Sequence, residues 1–381
     1  MNRRRMVLMV SVLGIACATG VAAQRPEPPS SNERTRYSGI EVGPTPVGAI
    51  PDVIIRDNDR NKDVQVTIEY PTRGGPHPLI VISPGFGGTN RGYIGLSSYW
   101  TANNYVVIRV NHGDRTANVE NAEDIWAKAT PADWRNRVRD LSFVLDSIES
   151  LTKRFPELEG KIDMTKIGVA GHSYGAQTAM LAAGVRTFPG AVSYSDPRIK
   201  AVIAMSPQGP SDSRGLTNES WTELRVPALF MTGTKDQGTT ELETPEWRAE
   251  SFKLSPAGDK WLVTVEGAGH ATFGGGSGRS IEQVAREQAD RGPVTIPLPP
   301  DPDDPRVPGA GRNPRDTRMS GPPLNARGAR AENAALRQQE MMAIIRGVAL
   351  SFFDTYLRAD AAGREALEKA STRKGVVVEK K

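Results

Sequence analysis

Ile167-Gly168-Val169-Ala170-Gly171-His172-Ser173-Tyr174-Gly175-Ala176-Gln177 passes from an apolar stretch (167–170) into a helix-forming one (177–184), with Gly-His-Ser-Tyr-Gly between them. A strand that turns sharply into a helix around a serine lifts the hydroxyl above a sheet, where a carbonyl can reach it. The glycines have a steric reason, because side chains at the two flanking positions would collide with the neighbouring strand and helix. Glycine makes up 38 of the 381 residues, so the five-residue pattern alone decides little. Its setting between strand and helix is what points to a nucleophile. The structural alternative is an ordinary turn that uses glycine for positive φ.

Outward from this elbow, short apolar runs recur at Leu79–Ile82, Tyr105–Val110, Ala201–Met205, Ala228–Met231 and Trp261–Val265. They are short and do not alternate with polar residues, as expected of strands covered by helices on both faces. Val64, Val66, Ile68 and Tyr70 do alternate, which predicts a half-buried strand. Thr130-Pro131 starts a helix whose stripe is Val138, Leu141, Val144, Leu145, Ile148 and Leu151, and a second amphipathic helix is expected from about Ala331. Strands alternating with helices give an α/β fold with a mostly parallel central sheet flanked by helices. Only about two dozen residues separate Met205 from Ala228, too few for a large cap domain, so an open cleft is expected. Trp126, Trp221 and Trp247 are candidates to line it.

The amino terminus reads as a leader. Arg3-Arg4-Arg5, an apolar stretch from Met6 to Ala16, and Val21-Ala22-Ala23 form a signal peptide expected to be cut after Ala23, giving a secreted or periplasmic protein. A lipoprotein reading would use Cys17, but Gly14-Ile15-Ala16 lacks the usual leucine. Cys17 is the single cysteine, so a mature chain could form no disulfide. Losing the leader leaves 45 basic against 44 acidic residues, which gives no argument for a nucleic-acid partner. The expected organisation is a flexible arm over 24–51, one domain over 52–360 with a Pro-rich mobile insertion at about 290–330, and a basic, solvated tail over 361–381.

A serine hydroxyl needs a base beside it and an acid to orient that base. Of four histidines, His77 precedes a strand, His172 is the elbow's variable residue, and His112 comes before the serine. His270, just past the carboxyl end of the Trp261–Val265 strand, is the best-placed base. Asp236, after Met231-Thr232-Gly233-Thr234-Lys235, is the candidate acid, with Asp212, Glu241 and Glu243 as rivals and a plain turn as the bland alternative. All three residues follow predicted strands, where open α/β sheets place their sites. For the oxyanion, Tyr174 offers one amide, and Ser83-Pro84-Gly85-Phe86-Gly87-Gly88 offers the second from Phe86, or from Gly87 as second choice. No phosphate-binding pattern, G-x-x-x-x-G-K-[ST] or G-x-G-x-x-G, is present in this glycine-rich loop.

Together these motifs, with Gly267-Ala268-Gly269-His270 and the late Phe352-Phe353-Asp354-Thr355-Tyr356-Leu357, resemble secreted α/β-hydrolases. The group is that of the dienelactone hydrolase-like, platelet-activating-factor acetylhydrolase-like, chlorophyllase-like and cutinase-like polyester esterases. The resemblance covers roughly residues 60–285 and 335–360. It implies Ser173 as nucleophile, His270 as base, Asp236 as acid and the amides of Phe86 and Tyr174 as oxyanion hole, acting on a small-molecule, lipid or polymer ester without cofactor or metal. Dienelactone hydrolases have cysteine where this chain has Ser173, and the acetylhydrolases carry their acid where it has Ser206. The polyester esterases commonly carry disulfides, which this mature chain could not form. An acyltransferase would use the same residues with an alcohol as acceptor, and a catalytically idle fold that binds a lipid or protein partner is the reading from another class.

Overall fold

A computed structural model describes residues 36–39, 43–113, 131–238, 240–274 and 324–381. The expected leader, Trp126 and the Pro-rich stretch up to residue 323 lie outside the described residues. In chain order the elements are β1 (Val47–Asp57), β2 (Lys62–Pro71), β3 (His77–Ser83), α1 (Ile94–Ala102), β4 (Val106–Asn111), α2 (Pro131–Asp146) and α3 (Ile148–Arg154). Then come β5 (Ile162–His172), α4 (Tyr174–Ala182), β6 (Arg186–Thr187), β7 (Val192–Ser193), β8 (Ile199–Met205), β9 (Ala228–Lys235), α5 (Pro245–Leu254) and β10 (Lys260–Gly269). The last are α6 (His270–Phe273), α7 (Leu324–Arg358), α8 (Ala361–Glu368) and β11 (Val376–Lys380).

Among the described residues nine strands form one sheet in the order β1-β2-β4-β3-β5-β8-β9-β10-β11, with β6 and β7 as a separate ribbon. From β4 to β10 every neighbouring pair is parallel; β1, β2 and β11 are antiparallel to their neighbours. This is the expected α/β-hydrolase architecture. Successive residues of one strand feed opposite cores, as the pleat requires. Leu79 and Val81 of β3 pack with Val138, Leu141 and Val144 of α2 and with Ala176 and Ala179 of α4. Ile80 and Ile82 pack with Trp100 of α1 and with Val348 and Phe353 of α7. The central strands lack polar alternation because neither face of the sheet meets water.

The connection from β8 to β9 carries a 3-10 turn, Asp212–Arg214, and no α-helix, so this connection supplies no large cap. Trp221 within it is fully buried and packs in the core, so it lines no cleft. Trp247 is half-buried on α5 and donates its indole N–H to the Pro210 carbonyl at 2.8 Å. The solvated tail expected after Arg373 is corrected: Val376–Lys380 pairs with β10 as an edge strand, Val376 opposite Val265. Three consecutive valines favour that strand, and the charges around them mark an edge that a sequence reading takes for a tail. In the same way β1 begins at Val47, inside the expected arm, and α7 begins at Leu324, ahead of Ala331.

Candidate active site

Ser173 joins β5 to α4 with φ 54° and ψ −123°, a conformation that a side chain makes costly. Its amide donates to the Met205 carbonyl at the end of β8 (2.9 Å), which ties the elbow to the next strand. The flanking glycines are forced by contact. A Cβ on Gly171 would stand 2.0 Å from the Gly175 carbonyl oxygen, and one on Gly175 would stand 2.1 Å from that of Ser83. Both obstacles are backbone, so neither can swing aside. Gly175→Ala is therefore expected to destabilise the protein by at least about 2 kcal/mol, because α4 must lift off β3. Chemical denaturation measures this, and a loss under 0.5 kcal/mol or so would contradict the close approach.

Asp236 follows β9 and His270 follows β10. His270 Nδ1 lies 2.9 Å from Asp236 Oδ1. The carboxylate is fully buried and crowded with donors: Arg248 Nε also reaches Oδ1 at 2.9 Å, and the Thr232 hydroxyl donates to Oδ2 at 3.0 Å. Burial alone would push the Asp236 carboxyl above the usual carboxylate range, but the His270 hydrogen bond and the Arg248 charge, with Ser206 alongside, hold it below that range. An ionised acid at this point fixes the orientation of the imidazole and favours its cation. The rival acids are placed elsewhere. Asp212 and Glu241 are exposed, and Glu243 is buried but paired with Arg214 and, at 3.7 Å, with Arg248.

Ser173 and His270 belong to strands three positions apart in the sheet, a lateral offset of about 14 Å at ordinary strand spacing. The β10 end bends back across that gap. Its pairing with β9 breaks between Val265 and Gly269, and the ring centroids of His270 and of His172, next to Ser173, are 4.8 Å apart. A bulge beside a site commonly re-aims the residue that follows it.

The loop after β3 turns tightly, Gly88 N–H to the Gly85 carbonyl at 3.0 Å, with Gly87 at φ 69°. Phe86 is half-buried, and its ring lies 5.9 Å from that of Tyr174, whose amide opens α4. Arg137 of α2, buried, donates to the Pro84 carbonyl at 2.6 Å and lies 4.5 Å above the Tyr174 ring. It thus braces the loop from the side of its carbonyls. Next to it, His112 is no spare histidine: its Nε2 is 2.9 Å from Ser83 Oγ and its Nδ1 is 2.8 Å from Asp140 Oδ2. Asp140 is fully buried and also holds Arg60 at 2.7 Å and Lys62 at 2.6 Å. Sequence reasoning missed Arg137, Asp140 and Arg248. The available signal was a charge inside an apolar helical stripe, since such charges are buried only when paired. Among the described residues no three His, Cys, Asp or Glu side chains group as a metal site.

No family model matches the chain. It is similar to Cutinase est2 of Thermobifida alba, 25% identical over 204 residues, which cover 54% of this chain and 56% of that protein. Cutinase est1 of the same organism is 26% identical over 165 residues, 43% of this chain and 44% of that one. Cutinase 2 of Thermobifida cellulosilytica is 24% identical over 165 residues, 43% of this chain and 50% of that one. The similarity supports an α/β-hydrolase esterase group. The chain spans about half the length of the relatives it matches. Among the described residues no helix is long and apolar enough to cross a membrane.

Proposed function

We propose that this protein is an exported serine esterase that cleaves carboxylic esters through an acyl-enzyme. The observation that carries the reading is the 2.9 Å bond between Asp236 and His270, at the same edge of the sheet as the strained elbow of Ser173. In this mechanism His270 Nε2 takes the Ser173 proton as Oγ attacks the ester carbonyl. The amides of Phe86 and Tyr174 stabilise the oxyanion, and His270 then gives the proton to the departing alcohol. A water, deprotonated by the same imidazole, attacks the acyl-serine and releases the acid with Ser173 restored. Export rests on the Arg3-Arg4-Arg5 leader pattern.

The short, helix-free connection between β8 and β9 supports an open cleft that admits a bulky acyl or alcohol group. The relatives' name, cutinase, puts a polyester among the candidate substrates beside small and lipid esters. Treatment with a fluorophosphonate probe is expected to modify Ser173 stoichiometrically and to end turnover of p-nitrophenyl esters. Modification at another serine, or activity that survives full modification, would overturn the assignment.

A further inference from the structure

Beneath the elbow a run of hydrogen bonds crosses three loops. Gly85 N–H donates to the Tyr93 hydroxyl oxygen at 2.9 Å, that oxygen lies 3.0 Å from His172 Nδ1, and His172 Nε2 lies 3.0 Å from the His270 carbonyl oxygen. A carbonyl can only accept, so Nε2 carries a proton. Burial first, then the neighbouring His270, pushes His172 down to about 3, so the ring is neutral and its Nδ1 has only a lone pair to offer. The Tyr93 hydroxyl must then donate to Nδ1. It keeps its proton to do so, because burial pushes the phenol up to about 12. Every bond in the run therefore has one permitted direction.

The components are held firmly. Tyr93 sits in the left-handed region, φ 61° and ψ 20°, an uncommon place for a bulky residue, yet its side chain stays buried and aimed at His172. The His172 ring is 5.9 Å from that of Tyr93 and 4.8 Å from that of His270, and a Cβ on either Gly85 or Gly274 would stand 3.5 Å from it. The three loops joined are those proposed above to supply the oxyanion amide, the nucleophile and the base.

We propose that Tyr93 and His172 are positioning residues: the one-way run from Gly85 N–H through Tyr93 and His172 to the His270 carbonyl locks His172 as its Nε2–H tautomer and fixes the base loop to the oxyanion loop. The inference rests on the serine-esterase reading of Ser173 and His270. Without the Tyr93 hydroxyl, His172 can move its proton to Nδ1, and its Nε2 lone pair then faces the His270 carbonyl, a repulsion that frees the base loop. Neither side chain is assigned contact with substrate, so the loss should fall on kcat and spare KM.

The test uses the full chain with ring-15N labelling. In the unmodified protein at neutral pH, His172, identified by its absence in His172→Asn, is expected to show a protonated Nε2 and an unprotonated Nδ1. Tyr93→Phe is expected to show both tautomers, and to lower kcat for p-nitrophenyl butyrate about tenfold with KM within about twofold. Fluorophosphonate still modifies Ser173 fully in that variant, at a slower rate. A protonated Nδ1 in the unmodified protein overturns the proposal, even where Tyr93→Phe fails to fold, and so does a folded Tyr93→Phe with undiminished kcat. If Ser173 is neither modified nor needed for turnover, the serine-esterase reading fails instead, and the tautomer measurement stands apart from it.

Discussion

Ser173→Ala is expected to lower kcat for p-nitrophenyl esters by about ten-thousand-fold or more while KM stays within a few-fold. The hydroxyl is the only group removed, and the residues around the elbow remain to bind the ester. What survives reflects oxyanion stabilisation and binding alone. The substitution should barely change the fold, because alanine inherits the same backbone at φ 54° and ψ −123°. Ser173→Gly should be equally inactive but more stable than Ser173→Ala, by about 1 kcal/mol, since glycine adopts this conformation freely. A Ser173→Ala protein with wild-type turnover would move the nucleophile elsewhere. Ser83, whose hydroxyl lies 2.9 Å from His112 Nε2, is fully buried and offers no ready replacement.

Asp236→Asn should cost about a thousand- to ten-thousand-fold in kcat, because an amide in place of the carboxylate no longer selects the imidazole tautomer or favours its cation. It should also cost about 3 kcal/mol of stability at neutral pH. Arg214, Arg248, Asp236 and Glu243 form a cluster of two positive and two negative side chains, and neutralising Asp236 leaves one buried positive charge in excess. The pH dependence has a definite sign. The folded carboxyl titrates below its unfolded value of about 3.9, so its stabilisation is full above that pH and is lost as pH falls through the folded value. The stability gap between wild type and Asp236→Asn should therefore narrow on acidification below about pH 4. Urea titrations at pH 7 and pH 3 test it. A gap that widens in acid would mean that Asp236 is not held ionised by its neighbours, and unchanged kcat would place the acid elsewhere.

The central strands were legible because both their faces are buried, which leaves uninterrupted apolar runs. The order of serine, aspartate and histidine along the chain was legible too, and it drew attention to the Asp236 and His270 pair that the fold joins by a hydrogen bond. The edge strands were not. β1 and β11 are half-exposed and take their form from a neighbour, so their composition resembles an arm and a tail. The bracing groups were hidden for another reason: Tyr93 and His172 are 79 residues apart in sequence, and only the parallel pairing of β3 with β5 brings the loops that follow them together. Nothing local to either residue announces the other. Trp221 misled because it sits in a connection without strand or α-helix yet is wholly enclosed.

β11 runs antiparallel to β10, so Lys381 exchanges backbone hydrogen bonds with Lys260, at the opposite end of β10 from His270. A tether or affinity handle joined to Lys381 would hang from the floor of the molecule. Bound to a solid support through that handle, the protein would present its strand-end rim outward, toward a film or particle too large to diffuse to it.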